Sequence, residues 1–569
     1  MPNSGRPTVP LWADLSLVAL LSAGIFIYAH FPAFTNPYVI NDDVRQQIYW
    51  MQQWLDPGLF QGDLLSDYAR HYVPWGVKGL YWLASFGAAP LTFSKVLPGL
   101  LFVFLAASLY KIGEFLQGRR LAWTAVVVFW LMPFFLDNLS GGLARAFAAP
   151  LLALFWLCWL KRRPWGMGTA LLLQALFIPY IFILSATAAM LAWAVGLWGK
   201  GEMPPFPSRS AHLILLAAAA GLLVLMHHQF NAAGFGPLVS ATDMGNRPEF
   251  TSTGRYPILP VPSILWELAS PWEFIPPFRE MGIVAGALVC ALLLGLGAYG
   301  VRRLDWQELR SRLQPAIYLG LSSLLLYFLA RLFLLKLFLP DRYLTYTLNL
   351  FYCLALALGL GAALKIRRWP RALALLALVL AVTLSGLRLR GVGLFDYSAY
   401  RPLYAALAQT PTDVLVAGHP NLMDNVLAFA HRRVFASFEL AHPWSKGYWR
   451  QLRPRLEEVF AAYYAADPEA VLAFCRKYQI SFLVVDDRHF TPAFLSGGRF
   501  FVPFDNLSGK APATVLAELV ICPFFAPFDQ QIRRLIQDRR QFALLSSGVF
   551  QPLMLDEHLR LLDMRPWLK

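Results

Sequence analysis

Two adjacent acids, Asp42 and Asp43, follow the first hydrophobic segment of the chain, in the sequence Asn41-Asp42-Asp43-Val44-Arg45. The apolar run 11–31 is long enough to span a bilayer, so the pair is expected at or just outside the far face of the membrane. Two neighbouring carboxylates are costly there unless something cationic shares the site, such as a metal or the partners of a phosphate-bearing ligand. The pair is therefore the first candidate for chemistry. A helix N-cap at Asp43 is the structural alternative.

Further polar residues stand at the outer ends of predicted spans. Asp137 ends the third span, and Arg145 lies near the start of the fourth, where a charge is expensive unless it snorkels or pairs. Arg342 and Tyr343 close the short loop before the tenth span. The planar guanidinium of Arg342 suits phosphate capture, and an ion pair with Asp341 is the alternative.

Two outer loops carry additional candidates for substrate binding. Arg70 and His71 lie in the polar and aromatic stretch 62–72, which either lines a site or is a solvated loop. Arg255 belongs to the second loop.

The composition of the chain indicates a polytopic membrane protein. Of its 569 residues, 57% are hydrophobic and only 15% are charged, whereas soluble domains carry about 25% charged residues. The net charge of +15 comes largely from short Arg/Lys clusters between apolar runs, as the positive-inside rule produces. No nucleic-acid partner is therefore expected.

The apolar windows and the charge clusters together predict a topology. A cytoplasmic N-terminus and eleven spans place the main clusters on the cytoplasmic side, which leaves outer loops at 32–91 and 228–280 and an outer region after 388. The predicted domains are 1–388 in the membrane and 389–569 outside it. The predicted spans are 11–31, 92–111, 121–137, 143–160, 166–179, 181–198, 211–227, 281–301, 314–333, 344–364 and 371–387.

The region after 388 alternates predicted strands with predicted helices, which is typical of an α/β domain. The strands are 414–418 and 481–486, and the helices are roughly 422–431, 446–465 and 468–478. In the first outer loop, Val44, Ile48, Met51 and Leu55 share one face of a helix that begins at the acidic pair and lies in the membrane interface.

Motif searches narrow the functional classes. The sequence has no P-loop, zinc-spacing cluster, nucleophile elbow or dinucleotide fingerprint, so the energy for a reaction must arrive with the substrate. A transporter or flippase would favour repeated halves and charges at mid-bilayer, and neither is found. A non-catalytic scaffold with an outer binding domain is the third class.

These features resemble the GT-C superfamily of polyprenyl-phosphate-dependent membrane glycosyltransferases. That superfamily includes protein O-mannosyltransferases, lipid A aminoarabinose transferases and oligosaccharyltransferases. The resemblance rests on the acidic pair in a long first outer loop, the second acid Asp137, the Arg342-Tyr343 pair and the outer soluble domain. The chain lacks the Trp-Trp-Asp signature of oligosaccharyltransferases, which argues against protein N-glycosylation.

The resemblance implies transfer of a sugar from a polyprenyl phosphate or diphosphate to a glycan, lipid or protein acceptor. Asp42 would be the base, assisted by Asp43 or Asp137, and Arg145, Arg255 or Arg342 would neutralise the phosphate among the membrane lipids. Such a single displacement inverts the anomeric carbon. The implied location is the bacterial inner (plasma) membrane, with the C-terminal domain in the periplasm. A divalent metal is an open expectation.

Overall fold

The computed structural model describes residues 11–198, 208–230, 235–250 without 246, 312–364 without 335, 389–491, and 542–568 without 547–548, together with isolated positions between these ranges. The chain divides into two compact units. The first comprises 1–42, 73–231 and 263–396, and the second comprises 43–72, 232–262 and 397–569. The predicted division at residue 388 is a single cut along the chain, whereas these units interleave, and one boundary passes between Asp42 and Asp43.

The described part of the first unit is almost entirely helical. Several of its helices begin with proline, which lacks the N–H that the first helical turn would leave unpaired. Its α-helices are Leu11–Thr35, Trp75–Ala84, Pro90–Gln117, Arg119–Trp130, Pro133–Leu139, Ala148–Leu160, Pro164–Phe177, Pro179–Trp198, Ser208–Phe230, Gln314–Leu332 and Asp341–Ala363.

These helices cover the predicted spans that fall on described residues; the predicted spans 281–301 and 371–387 lie outside them. In the described part of the chain, five helices are long and apolar enough to cross a membrane, or six if one bent pair forms a single span. Ala144–Leu160 and His212–His227 are shorter apolar helices. The helical membrane architecture is therefore confirmed, and the count of eleven spans stays a prediction.

Proline sets the breaks between neighbouring helices. The predicted spans 166–179 and 181–198 are separated by a break at Pro179: helix Pro164–Phe177 ends just before it, and Ile178 is non-helical with φ −151° and ψ 77°. The third predicted span bends by 66° between Trp130 and Pro133, where Met132 is extended. Both breaks have one cause, because the residue before proline is sterically disfavoured in the α conformation.

The C-terminal end of the first helix is held by Lys95. Its ammonium donates to the carbonyls of Ala33, Asn36 and Pro37 at 2.7, 3.0 and 3.2 Å. A cation at this end satisfies carbonyls that the helix leaves unpaired. The chain then forms β1 (Val39–Ile40), which pairs antiparallel with β2 (Phe395–Asp396). The acidic pair therefore follows a segment that is fixed from both sides.

The second unit contains a five-stranded mixed sheet. Its strands are β3 (Leu415–Gly418), β4 (Arg433–Val434), β5 (Phe482–Asp486), β6 (Pro552–Met554) and β7 (Leu559–Asp563), in the order β4-β3-β5-β7-β6. β4, β3 and β5 are parallel, and β7 is antiparallel to both β5 and β6. The two predicted strands are thus β3 and β5, which pair with each other at the centre.

Helices from all three chain segments complete the second unit. The predicted C-terminal helices are present with small shifts at their ends. The predicted interfacial helix is divided into an α-helical turn and a 3-10 segment. Among the described residues, the helices are Val44–Gln47, Tyr49–Trp54 (3-10), Leu64–Tyr72, Ala241–Met244, Pro248–Phe250 (3-10), Ser398–Tyr400 (3-10), Arg401–Ala408, Pro420–Asn425, Val426–Ala430 (π), Lys446–Tyr463, Pro468–Tyr478, Asp487–Phe490 (3-10) and Arg565–Trp567 (3-10).

The second unit gathers three segments of the chain, 43–72, 232–262 and 397–569. The predicted topology has six spans between the first two of these segments and puts all three on the outer side of the membrane. This placement stays a prediction.

We predict that single cysteines at the exposed positions Gln61, Thr242 and Gln451 react together with a membrane-impermeant maleimide in intact cells. Arg163→Cys, on a predicted cytoplasmic loop, should react only after permeabilisation. Of the five native cysteines, Cys158, Cys353 and Cys475 are buried and contribute little background, and Cys290 and Cys522 are replaced by serine in every variant. Labelling of one of the three sites from the opposite side would contradict the fold.

Candidate active site

The acidic pair forms the turn between β1 and helix Val44–Gln47. Asp42 and Asp43 are both half-buried, and Asn41 before them is 2% exposed. Asp42 ends a segment of the first unit, and Asp43 begins the second unit.

In the first unit, the Asn41 side chain organises the approach to Asp42. Its Nδ2 donates to the carbonyl of Gly393 at 2.8 Å, and its Oδ1 accepts from Nη2 of Arg145 at 3.2 Å. The Ser140 hydroxyl donates to the same Gly393 carbonyl at 2.9 Å. Arg145, expected to snorkel or pair at this depth, therefore pairs with the neighbour of Asp42.

Asp137 reaches the same place because position 393 is glycine. Gly393 has φ +68°, and a Cβ there would lie 2.8 Å from Cβ of Ser140 and 3.0 Å from Oδ1 of Asp137. Glycine alone permits both this backbone conformation and this close approach. Asn41, Asp137 and Ser140 thus all lie against the turn at Gly393. Sequence reasoning missed Gly393 and Ser140, since only the fold brings them to the acids.

Arg342 forms the ion pair predicted as its structural alternative, with Nε 3.5 Å from Oδ2 of Asp341. One turn along the same helix, the Tyr346 hydroxyl donates to Oδ1 of Asn138 at 3.2 Å and accepts from the Tyr180 hydroxyl at 3.3 Å. Because Asn138 is adjacent to Asp137, the short helix Pro133–Leu139 connects the Arg342 helix to the Gly393 turn.

Tyr343 is fully buried, and its hydroxyl donates to the Leu337 carbonyl at 2.6 Å. This bond supports the loop that precedes the Arg342 helix. Contact between Tyr343 and substrate stays a prediction. Besides the Arg342–Asp341 pair, this part of the helix makes polar contacts through Tyr346 and its partner Tyr180. Sequence reasoning missed both tyrosines because they lie in apolar runs.

In the second unit, Asp43 occupies the N-cap position but makes no capping bond with its side chain. Its Oδ1 instead accepts a short hydrogen bond from Nε2 of Gln46, whose Oε1 accepts from the Tyr72 hydroxyl at 3.2 Å. Burial raises the pKa of Tyr72 well above its ordinary value, with smaller contributions from Tyr68 and the Asp43 carboxylate. Asp43 is therefore part of a fixed hydrogen-bonded chain.

The remaining loop candidates also lie in the second unit. Arg70 is exposed, pairs with Asp67 at 3.2 Å and lies 5.5 Å from the ring centroid of Trp50. The His71 ring is 5.4 Å from that of Phe235, so it contacts the second-loop segment. Arg255 lies outside the described residues.

An aromatic cluster fills the space around Gln46 and Tyr72, and sequence reasoning did not anticipate it. The Tyr72 ring is 5.3 Å from His442, and the Tyr256 ring is 4.2 Å from Trp444 and 6.0 Å from His442. Tyr72, Tyr256 and Trp444 are half-exposed, whereas His442 is buried. First loop, second loop and α/β segment each contribute rings to this cluster.

A metal site is not evident from the donor groups. Among the described residues, no group of three or more His, Cys, Asp or Glu side chains is close enough to hold a metal ion.

Comparisons with known proteins place this geometry in a fold. No protein-family model matches the sequence, and no curated protein matches it either. The structure resembles the oligosaccharyltransferase of Archaeoglobus fulgidus, solved with Zn and sulfate, at 14% identity over 86% of this chain and 70% of that chain, with a TM-score of 0.51. It also resembles ArnT from Cupriavidus metallidurans in the apo state, at 11% identity over 98% of this chain and 99% of that chain, with a TM-score of 0.50.

The chain shares its fold with these two proteins, and the predicted resemblance is confirmed at the level of the fold. At such low identity the likeness concerns the fold. The roles of individual residues must be argued from the geometry above.

We predict that Gly393→Ala lowers the thermal unfolding temperature more than Gly391→Ala. Both glycines have positive φ, so both variants carry the left-handed strain of about 1–2 kcal/mol. Only at Gly393 would the new methyl also press on Ser140 and Asp137, which adds about 1–3 kcal/mol of overpacking. Unfolding of the purified variants in detergent tests this, and equal losses would contradict the close approach of Asp137.

Proposed function

We propose that this chain transfers a sugar from a polyprenyl phosphate or diphosphate to an acceptor hydroxyl at the outer face of the membrane, with inversion. The observation that carries the proposal lies in the first unit. Arg145 bonds to the Asn41 side chain beside Asp42, and the Asp137 carboxylate lies against Gly393. Asn138 bonds to Tyr346, which lies one turn beyond Arg342 on the same helix. Two acids and two arginines at helix ends suit an anionic donor and a hydroxyl acceptor.

Asp42 is the proposed base. The neighbouring Asp43 is committed to Gln46 and, through it, to Tyr72, which supports a positional role for that carboxylate. The Asp42 carboxylate takes the proton of the acceptor hydroxyl as its oxygen attacks the anomeric carbon. The bond from that carbon to the phosphate oxygen breaks, and the phosphate leaves with the electron pair. One displacement without a covalent intermediate inverts the anomeric configuration.

Arg342 and Arg145 are the proposed phosphate ligands, with Arg255 in reserve. The guanidinium of Arg342 is one-third exposed and stands in the first turn of its helix, so a lipid phosphate at the interface is able to reach it. Arg145 lies next to the acidic turn through Asn41. A charge-assisted, two-point hydrogen bond to phosphate is stronger than a neutral one.

The half-exposed rings of Tyr72, Tyr256 and Trp444 support a glycan among the three expected acceptor classes. Aromatic rings offer large apolar faces at little entropic cost, and sugars present C–H faces of matching size. Within the second unit, Tyr72 of this cluster also bonds to Gln46, the partner of Asp43.

The proposed setting is the bacterial inner membrane, with the N-terminus cytoplasmic and the C-terminal unit periplasmic. The Archaeoglobus neighbour was solved with Zn and sulfate. For this chain a divalent metal stays a prediction, and the steps above need only its own residues.

The alternatives receive less support. A transporter would place its ionisable residues near mid-bilayer and along a pathway. Here Asp137 stands in the last turn of helix Pro133–Leu139 and Arg342 in the first turn of helix Asp341–Ala363. A scaffold gives no reason for Asn41, Ser140 and Arg145 to converge at the turn against which Asp137 also lies.

We predict that Asp42→Asn lowers turnover by about 10²–10⁴-fold, the usual contribution of a general base, because the charge is lost and the shape is kept. Purified protein should be assayed with a panel of polyprenyl-phosphate sugars, with Asp43→Asn as the matched neighbour. If Asp42→Asn keeps near-normal turnover and Asp43→Asn loses turnover, then Asp43 is the base and Asp42 has the positional role. Normal turnover of both would place the base elsewhere.

We predict that Arg342→Ala weakens donor binding by roughly 1.5–3 kcal/mol, the value of a hydrogen bond to a charged group, and that Arg342→Lys weakens it less. Asp341→Ala is the control, since it removes the partner of Arg342 and leaves the guanidinium. If both alanine variants lower thermal stability alike and leave donor affinity unchanged, the pair is structural only.

A further inference from the structure

We infer that the C-terminal segment of the second unit, 397–569, acts in the reaction by positioning the acidic turn through Arg45. This inference rests on the proposed function and adds to it a positioning residue and a task for the α/β unit. Arg45 follows Asp43 by two residues and lies in the single turn Val44–Gln47.

The guanidinium of Arg45 is held on several sides. Its side chain is 8% exposed, and Nη1 donates to Oδ1 of Asn425 at 2.9 Å. Nη2 lies 3.4 Å from Oε1 of Glu439, and Nη1 lies 4.0 Å from Oδ2 of Asp424. The central carbon is 4.2 Å from the ring centroid of Tyr397. All four partners come from the C-terminal segment.

These partners are themselves fixed. Asp424 is 1% exposed, and its carboxylate accepts a short hydrogen bond from the Ser437 hydroxyl and a bond from the Glu439 backbone N–H at 3.1 Å. Asp424 and Asn425 end helix Pro420–Asn425, which follows the central strand β3 almost directly. The anchor for Arg45 is therefore the end of the helix that follows the central strand β3.

The charges make this anchor specific. Two acids, Asp424 and Glu439, share the neighbourhood of one buried arginine, and a buried charge needs a partner that remains in place. The planar guanidinium can bond to two acceptors while its flat face covers the Tyr397 ring. The ammonium of lysine cannot reproduce this arrangement. A turn tied at this point has little freedom to swing.

Position matters to the proposed chemistry. A carboxylate acts as a base only within hydrogen-bond reach of the acceptor hydroxyl, and a displacement of about 1 Å can cost about 100-fold in rate. Arg45 touches no reacting atom in this scheme. Its predicted effect is on turnover and on the order of the turn.

The test compares Arg45→Gln, Arg45→Lys and Arg433→Gln in the full-length protein in detergent or nanodiscs. Arg433 is the matched control, because its guanidinium also ties the first-loop segment to the C-terminal segment, through the Gln61 and Asp413 carbonyls, but at the far end of the loop. Hydrogen exchange of residues 38–48, donor binding and turnover are measured on each variant.

We expect Arg45→Gln to speed amide exchange in residues 38–48 and to lower kcat by about ten- to 100-fold, with donor Kd changed less than about threefold. Arg45→Lys should recover part of both effects, and Arg433→Gln should leave both at the wild-type level. Glu439→Gln, which removes one charge and keeps an acceptor, should be milder than Arg45→Gln and guards against loss of folding.

Unchanged exchange in Arg45→Gln would overturn the inference, whatever the turnover. Faster exchange with normal kcat would overturn it as well, because the anchor would then be structural only. Failure of the wild type to use any polyprenyl-phosphate sugar would instead count against the proposed function, and this outcome is separate from the exchange result.

Discussion

The hydrogen bonds that meet at the Gly393 carbonyl hold the candidate site together. They join Asn41 and Ser140 to a turn 352 residues beyond Asn41 in the chain, and the small β1–β2 pair continues the contact. Closing so long a loop costs only slightly more entropy than closing a shorter one, since the cost grows with the logarithm of length. The helices between the two ends can therefore pack as they require, while the acidic turn stays at a fixed exit from the first unit.

This constraint also explains the interleaved architecture. The chain leaves the first unit at Asp42, contributes 43–72 to the second, and returns. A loop that only connected two spans would need no such partners. Here the loop segment contributes Arg45, Gln46 and Tyr72 to hydrogen bonds and ring contacts within the second unit. The first-loop segment 43–72 is thus part of a folded body, and Asp43 is held within that body.

The sequence contains enough to predict the local elements and too little to predict their partners. Spans, the break at Pro179 and the central strands follow from apolar periodicity and from the steric effect of proline, which act within a few residues. The acidic pair and the arginines at the ends of the predicted spans could be singled out because a charged side chain next to a membrane is costly. Gly393, Tyr346 with Asn138, and the partners of Arg45 depend on contacts across 200 to nearly 400 residues, and no local pattern encodes them.

Arg45 and Arg342 also show that two arginines of equal charge can have different roles. Arg45 is buried among acids and an aromatic ring, so its removal would leave buried carboxylates without their cation. Arg342 pairs with Asp341 where both side chains are a third or more exposed, and such pairs are worth only about 0–1 kcal/mol.

A pair that weak is readily exchanged for the anionic phosphate of the donor, to which the guanidinium can make two hydrogen bonds. The same reasoning separates the two acids. Asp43 is tied into the Gln46–Tyr72 chain, while Asp42 follows Asn41, whose Oδ1 accepts a hydrogen bond from Arg145. Neighbouring groups in different surroundings can take different roles, and our proposal gives Asp43 a positional task and makes Asp42 the base.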